Sequence, residues 1–223
     1  MLYSKEQARD NIRNRDGKRV FYLGKGDTLT SEARDFLARE RIEILPASQA
    51  KPTRYRLLNG GFMEEKPEQM THLNGDFLVE KTHPRIALRG AVDTLEAELL
   101  LCAANATGEI CKQLEEALQY TRTLLRNEVL DEPVAETALG GMDEKALRER
   151  SHRPQDFYGQ PHFMPAPTDS ILLLQVNRAR CAARAAELKA VAAFPTGRED
   201  LLRAYNRLSS FLYLIMIQLK AGK

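Results

Sequence analysis

From Pro84 onward, apolar residues recur at three- and four-residue spacing in four long segments, and that periodicity constrains the fold more than any other feature. The segments are AVDTLEAELLLCAAN, ICKQLEEALQYTRTLLRNEVL, SILLLQVNRARCAARAAELKAVAAF (170–194) and REDLLRAYNRLSSFLYLIMIQLK. A short amphipathic piece, MDEKALRERS, lies between the second and third. Asp131-Glu132-Pro133 ends the second helix and Pro195-Thr196-Gly197 closes the third, while residues 153–167, with four prolines and a glycine, predict a loop. Brief connections reverse the chain each time, so the expected fold is mainly α, an antiparallel helical bundle of about five helices. In the last helix the expected core stripe is Leu201, Leu202, Tyr205, Leu208, Leu212, Ile215 and Leu219.

The first 70 residues have a different texture. RVFYL (19–23) and RIEIL (41–45) predict strands, and Thr30 predicts the cap of a helix through SEARDFLARE. After Pro46 a polar stretch with Pro52, Gly60, Gly61 and Pro67 predicts a linker. The expected organisation is a small N-terminal α/β segment with linker over 1–70 and a helical-bundle domain over 71–223. A net charge of +2 gives no global field for nucleic acid or an anionic membrane. The longest apolar run, about 12 residues, is well short of the ~20 that cross a bilayer. Cys102, Cys111 and Cys181 are scattered and odd in number, which argues against a disulfide framework or a Cys-x-x-Cys metal knuckle. A soluble, cytoplasmic protein is expected.

Three clusters carry candidate chemistry. Arg180, Arg184 and Glu187 share one helix face, flanked by Cys181, Ala182, Ala183, Ala185 and Ala186. Such a face is either a solvated charge stripe or a polyphosphate site, because guanidinium forks bind phosphate oxygens bidentately and small neighbours allow close approach. Lys81, Arg85, Arg89 and Asp93 recur every four residues across a helix start at Pro84, with Gly90 inside the helix. This is either a charged helix entry with an incidental glycine or a stretch in which Gly90 serves packing or a ligand. Asn206 opens NRLSSFLYLIMI, where an amide serves an interhelical hydrogen bond or a nucleotide edge. His72, His83, His152 and His162 have no metal-ligand spacing, and LGKGDTLT (23–30) lacks the spacing of a phosphate loop.

Together these residues resemble the ATP:corrinoid adenosyltransferases of the PduO and EutT kind. NRLSSFLYLIMI (206–217) is similar to that family's Asn-Arg-Leu-Ser helix, Arg180-x-x-x-Arg184-x-x-Glu187 to its Arg-Thr-x-x-Arg-Arg-x-Glu signature, and Lys81, Gly90 and Asp93 to its lysine, glycine and Asp-Glu-Leu segment. The resemblance spans about residues 71–220. Ser210 stands where the PduO branch has aspartate and the ethanolamine-utilisation branch serine; THLNGDFLVEKTHPRI, LDEP and LTSEARDFLARERIEI also resemble the latter. Two departures stand out. Cys181 and Ala185 replace the signature's threonine and second arginine, and PTRYRLLNGGFMEEKPEQMTHL lacks the His and Cys-Cys-x-x-Cys metal cluster often found in that branch.

The resemblance implies a ferritin-like adenosyltransferase bundle, a homotrimer with ATP at subunit interfaces, and transfer of the 5′-deoxyadenosyl group of ATP to Co(I) of a reduced corrinoid, giving adenosylcobalamin. On it Arg180, Arg184 and Asp93 are the catalytic candidates, and Lys81, Arg180, Arg184, Glu187 and Asn206 the ATP-binding ones. Asp93 would pair with Arg180 across the interface. Phe157, Tyr158, Phe163 and Phe77 are candidates for the apolar wall of the corrinoid. Mg²⁺ would accompany the phosphates. Implied associates are ethanolamine ammonia-lyase, a corrinoid reductase and microcompartment proteins. Two alternatives stay open: a non-catalytic protein that binds or delivers nucleotide or corrinoid, and a structural partner of a metabolic shell.

Overall fold

The computed structural model describes residues 1–15, 18–50 and 54–222, and the chain divides into two compact units, Met1–Arg54 and Tyr55–Lys223. In the first, β1 (Leu2–Tyr3) pairs in parallel with β4 (Thr28–Leu29), and α1 (Lys5–Asp10) lies between β1 and β2 (Ile12–Arg15) in sequence. β3 (Lys18–Leu23) pairs antiparallel with β2 and parallel with β5 (Glu43–Pro46), placing Phe21 opposite Ile44. The crossover between these parallel strands carries α2 (Ser31–Arg39), capped as expected by Thr30, whose hydroxyl accepts from the Ala33 amide. Ala8, Phe21, Leu29, Ala33, Leu37 and Ile42 form its small core. The strand expected at 41–45 begins two residues late because Arg41 takes a left-handed turn, φ 54°, off the end of α2. Pro52 lies outside the described residues.

The expected linker is corrected by the second unit. Residues after Tyr55 build a four-stranded sheet of β6 (Tyr55–Leu57), β7 (Phe62–Met63), β8 (Met70–Asn74) and β9 (Phe77–Glu80), in the order β7-β6-β9-β8. Gly60 and Gly61 sit in the β6–β7 turn, Gly60 at φ 85°, so they mark a turn rather than a flexible tether.

Four long helices follow: α3 (Pro84–Ala104), α4 (Gly108–Leu130), α7 (Ile171–Ala193) and α8 (Glu199–Lys220). Between α4 and α7 lie β10 (Ala138–Leu139), β11 (Met142–Asp143), α5 (Glu144–His152) and α6 (Pro154–Tyr158). α6 occupies part of the stretch expected as loop; Pro154 suits a helix start, and Gly159 in the left-handed region, φ 71°, stops it after five residues. The β10–β11 turn needs positive φ at Gly140 and Gly141, and a Cβ on Gly140 would come within 2.7 Å of the Phe211 ring. α4 ends as the sequence predicts, with Asp131 left-handed at φ 57° before Pro133.

α3 and α4 run antiparallel: Arg85 and Arg89 reach Glu128 near one end, and Glu96 pairs with Arg122 further along. α8 is the most buried helix. Leu201, Leu208, Leu212 and Ile215 are buried as expected, Leu202 and Leu219 are only partly covered, and Ala204, Phe211, Leu214, Met216 and Ile217 widen the single stripe into an almost complete apolar surface. Each large apolar side chain taken out of water there is worth about 1.5–3 kcal/mol. Among the described residues no helix is long and apolar enough to cross a membrane.

Candidate functional site

The polar front of α8 converges on Asn206. Its side-chain nitrogen donates to Glu187 Oε1 on α7 at 3.0 Å, and its side-chain oxygen accepts from Arg207 Nη1 at 3.0 Å. Its main-chain oxygen accepts the hydroxyls of Ser209 and Ser210 at 2.9 and 3.1 Å. Serines bonding back onto a carbonyl a turn earlier are tolerated in a helix and tend to bend it, which accounts for hydroxyls at the edge of an apolar run. Among the described residues Arg207 has no carboxylate partner, and its buried Nε has no acceptor. An unpaired buried donor costs about 1–3 kcal/mol, so stability alone does not explain that guanidinium.

One turn apart on α7, Arg180 and Arg184 lie on the same face as Glu187. Arg180 is half-buried and donates from Nε and Nη2 to Asn177 Oδ1 at 3.3 and 3.2 Å. Arg184 is exposed, with no hydrogen bond or ion pair to a described residue. Asp93, on α3, is exposed and does not reach Arg180 within the chain. Gly90 is exposed too, and a Cβ there would meet nothing within 4 Å, so no packing among the described residues requires glycine. Lys81 precedes α3, as expected, and pairs with Glu68 at 2.7 Å in solvent. Thus Glu187 and Asn206 are joined directly, Arg180 and Arg184 share their helix, and Lys81 and Asp93 stand apart as exposed groups.

Arg85 and Arg89 are neither solvated nor available. They clasp Glu128, which is 0% exposed, and are themselves only 16% and 17% exposed. Arg85 Nε donates to Glu128 Oε1 and its Nη2 to the Glu128 carbonyl; Arg89 Nε donates to Oε2 at 2.7 Å and its Nη1 to the Leu73 carbonyl at 2.7 Å. One carboxylate thereby ties α4, the first turns of α3 and β8 together. Phe194, past the end of α7, lies under both Arg85 (5.4 Å) and Arg198 (5.7 Å). Arg198 in turn pairs with Asp131 and Asp200, which fixes the α7–α8 turn against the end of α4. His83 caps α3 by accepting the Arg85 amide at Nδ1, and its pKa is lowered, chiefly by burial and then by Arg85 and Arg89. The Tyr205 hydroxyl, buried and without a partner, is pushed far up by burial and next by the Glu128 charge. Glu128 was readable in one respect: it falls on the apolar stripe Ala117–Thr121–Leu124, where a carboxylate demands a cation.

The four aromatic candidates fall in different surroundings. Phe163 stacks on Tyr213 of α8 with centroids 6.4 Å apart, and Tyr158 packs against the bundle core. Phe157 is exposed beside Arg150, while Phe77 is on β9 beneath Arg56, at 4.0 Å. His162, unassigned by the sequence, also stacks on Tyr213; its Nδ1 meets the Tyr213 hydroxyl at 2.9 Å and its Nε2 the His152 carbonyl at 3.2 Å. Both imidazole nitrogens are therefore engaged. Among the described residues no group of three or more His, Cys, Asp or Glu side chains could hold a metal ion.

Comparison with known proteins gives the bundle its relatives. The sequence profile of the cobalamin adenosyltransferases matches residues 62–219, from β7 almost to the end of α8. The corrinoid adenosyltransferase EutT of Salmonella typhimurium is 30% identical over 139 residues, 60% of this chain and 52% of that protein. EutT of Escherichia coli K12 is 28% identical over the same shares. The chain thus spans about half the length of the curated relatives it matches. Two solved structures share the fold: single-residue variants of a PduO-type ATP:corrinoid adenosyltransferase from Lactobacillus reuteri, one complexed with cobalamin and ATP, the other with ATP. The first has TM-score 0.51 at 17% identity, over 74% of this chain and 85% of its own. The second has TM-score 0.51 at 19% identity, over 67% and 88%. A profile match over residues 62–219, which takes in β7 to β9, the Glu128 clasp and the Asn206 turn, places the chain in the cobalamin adenosyltransferase family.

Proposed function

We propose that this protein transfers the 5′-deoxyadenosyl group of ATP to the Co(I) of a reduced corrinoid, forming adenosylcobalamin, most naturally for ethanolamine utilisation. The observation that carries the reading is the direct Glu187–Asn206 bond on the face that also bears Arg180 and Arg184. In a family whose members join ATP to a corrinoid, that face offers two cations spaced for adjacent phosphates and an amide beside a carboxylate for the nucleoside.

The reaction asks little proton chemistry of the protein. Co(I) supplies the electron pair and attacks the 5′ carbon; a Co–C bond forms, the C–O bond to the polyphosphate breaks, and the leaving oxygen keeps its pair. The protein's share is to hold that carbon in line and to stabilise charge on the departing phosphates. Arg184, exposed and with no hydrogen bond or ion pair to a described residue, and Arg180, whose guanidinium meets only the neutral Asn177 and Cys181 among the described residues, are free to turn toward phosphate oxygens. Lys81 adds charge by leaving its exposed bond to Glu68, a contact worth little in solvent. Asp93 fits a pairing with Arg180 of a neighbouring subunit in a homotrimer, since it has no such partner among the described residues of its own chain. No cluster of described side chains suits Mg²⁺, so a divalent ion would come in on the ATP phosphates, and no step above is routed through it. Phe163 and Tyr158, gathered near α8, are better placed than Phe157 or Phe77 to present one apolar wall to a corrinoid. The unit 1–54 lies outside the family match at 62–219, and we assign it a contact with ethanolamine ammonia-lyase, a corrinoid reductase or microcompartment proteins in the cytoplasm.

Incubation of the purified protein with ATP, Mg²⁺ and chemically reduced cobalamin tests the reading through the absorbance change on adenosylation; no change overturns it. Cys181 and Ala185, standing where the family signature has threonine and a second arginine, favour one other reading, a protein that binds nucleotide or corrinoid for delivery. ATP binding without turnover under strictly reducing conditions would select that one.

A further inference from the structure

Arg207 carries a charge into the bundle with no carboxylate among the described residues to meet it. Among the described residues its side-chain hydrogen bond goes to Asn206 Oδ1, and its Nε is buried without an acceptor. Opposite it, the Glu187 carboxylate takes a proton donor from the other end of the same amide. A guanidinium only donates and a carboxylate only accepts, so the two can be satisfied in one amide orientation alone, oxygen toward Arg207 and nitrogen toward Glu187. The cation also draws electron density from the amide, making its N–H groups stronger donors. After these two bonds Asn206 retains one N–H and one lone pair, a paired donor and acceptor suited to a ribose hydroxyl or an adenine edge.

We infer that Arg207 is a positioning residue for nucleotide binding: it acts through Asn206, locking the amide so that its remaining donor and acceptor face the ligand in a fixed order. The inference rests on the nucleotide role proposed for Asn206. A guanidinium retained for the fold would have a carboxylate partner, as Arg85, Arg89 and Arg198 do; Arg207 has an amide. Ser209 and Ser210 add to the same purpose by holding the Asn206 main chain.

A double-mutant cycle on the full chain tests this, with ATP affinity measured calorimetrically for the wild type, Arg207→Met, Asn206→Ala and the double variant. Arg207→Met is expected to weaken ATP binding about tenfold in the wild-type background and less than about twofold when Asn206→Ala is already present. Equal losses in both backgrounds would show that Arg207 does not work through Asn206 and would overturn the inference while leaving the nucleotide reading intact. A wild-type chain that binds no ATP would overturn both. If circular dichroism shows that Arg207→Met fails to fold, Arg207→Lys replaces it in the cycle, keeping the charge but losing the planar fork. A loss that disappears in the Asn206→Ala background again supports the inference, and one that persists there overturns it.

Discussion

Replacing Glu128 with glutamine removes one negative charge and almost no volume, and the structure gives that change a definite cost. Glu128 is wholly buried, and its two carboxylate oxygens are shared between Arg85 and Arg89, both more than four-fifths covered. The triad carries a net charge of +1 with glutamate and +2 with glutamine. The glutamine amide would also turn N–H groups toward guanidinium donors. Breaking a buried ion pair by removing one partner costs about 3–5 kcal/mol, and because glutamine keeps one acceptor oxygen, about 3 kcal/mol is expected. For a domain of this size each kcal/mol lowers the melting temperature by about 2–4 °C, so Glu128→Gln should melt about 6–12 °C below the wild type. The matched control is Arg122→Ala, which breaks the half-exposed pair with Glu96 and should cost no more than about 1 kcal/mol. Thermal unfolding followed by circular dichroism, with urea titration at neutral pH, measures both. Arg89→Met, which leaves a balanced Arg85–Glu128 pair, should fall between them. If Glu128→Gln melted no lower than Arg122→Ala, the clasp would not be what fixes α3 to α4 and β8.

Other perturbations separate the site from the scaffold. Arg184→Ala should weaken ATP binding by about 1.5–3 kcal/mol without moving the melting temperature, since the side chain is exposed and makes no hydrogen bond or ion pair to a described residue; unchanged calorimetric affinity would remove it from the phosphate site. Gly90→Ala should stabilise α3 by about 1 kcal/mol, because a methyl group there meets nothing within 4 Å among the described residues; a simultaneous loss of assembly by ultracentrifugation, or of ATP affinity, would reveal a close approach from outside. His83 has a folded pKa below its unfolded value of 6.5, so its contribution is complete above about pH 6.5 and is lost as pH falls through the lower folded value. Protonation also removes the Nδ1 acceptor that caps α3; His83→Asn should therefore flatten the decline in melting temperature between about pH 7 and 5, and an unchanged slope would place the titration elsewhere. Thiol labelling of the folded chain should modify exposed Cys181 readily and leave Cys102 untouched, because burial, followed by the Glu98 charge, pushes the Cys102 thiol up to about 11.

What the sequence made legible divides along physical lines. Helices α3, α4, α7 and α8 could be read because their periodicity is long and their ends carry local signals: Pro84, Asp131 with Pro133, Ser170 and Pro195. The sheet at 55–80 could not, since strands of two to five residues separated by Gly-Gly, Pro67 and Gly75 contain too little alternation to distinguish them from a linker. Among the site residues, Arg180, Arg184 and Glu187 were legible as one face because helical spacing alone puts them there. The Glu187–Asn206 contact required the resemblance, as nothing local joins residues nineteen apart on two helices. The most instructive miss is the series Lys81, Arg85, Arg89 and Asp93, whose even spacing reads as one charged stripe. The fold splits it, leaving Lys81 and Asp93 in solvent and burying Arg85 and Arg89 on Glu128. Spacing reports which residues share a face, but whether a cation on that face meets solvent, a ligand or a buried carboxylate depends on the helix packed against it. The same logic separates Arg184 from Arg207: both are arginines on core helices, yet among the described residues the first makes no hydrogen bond or ion pair and the second hydrogen-bonds only to an amide. A cation left without a carboxylate in a bundle that supplies one to Arg85, Arg89 and Arg198 is therefore a better guide to the functional face than charge density along the sequence.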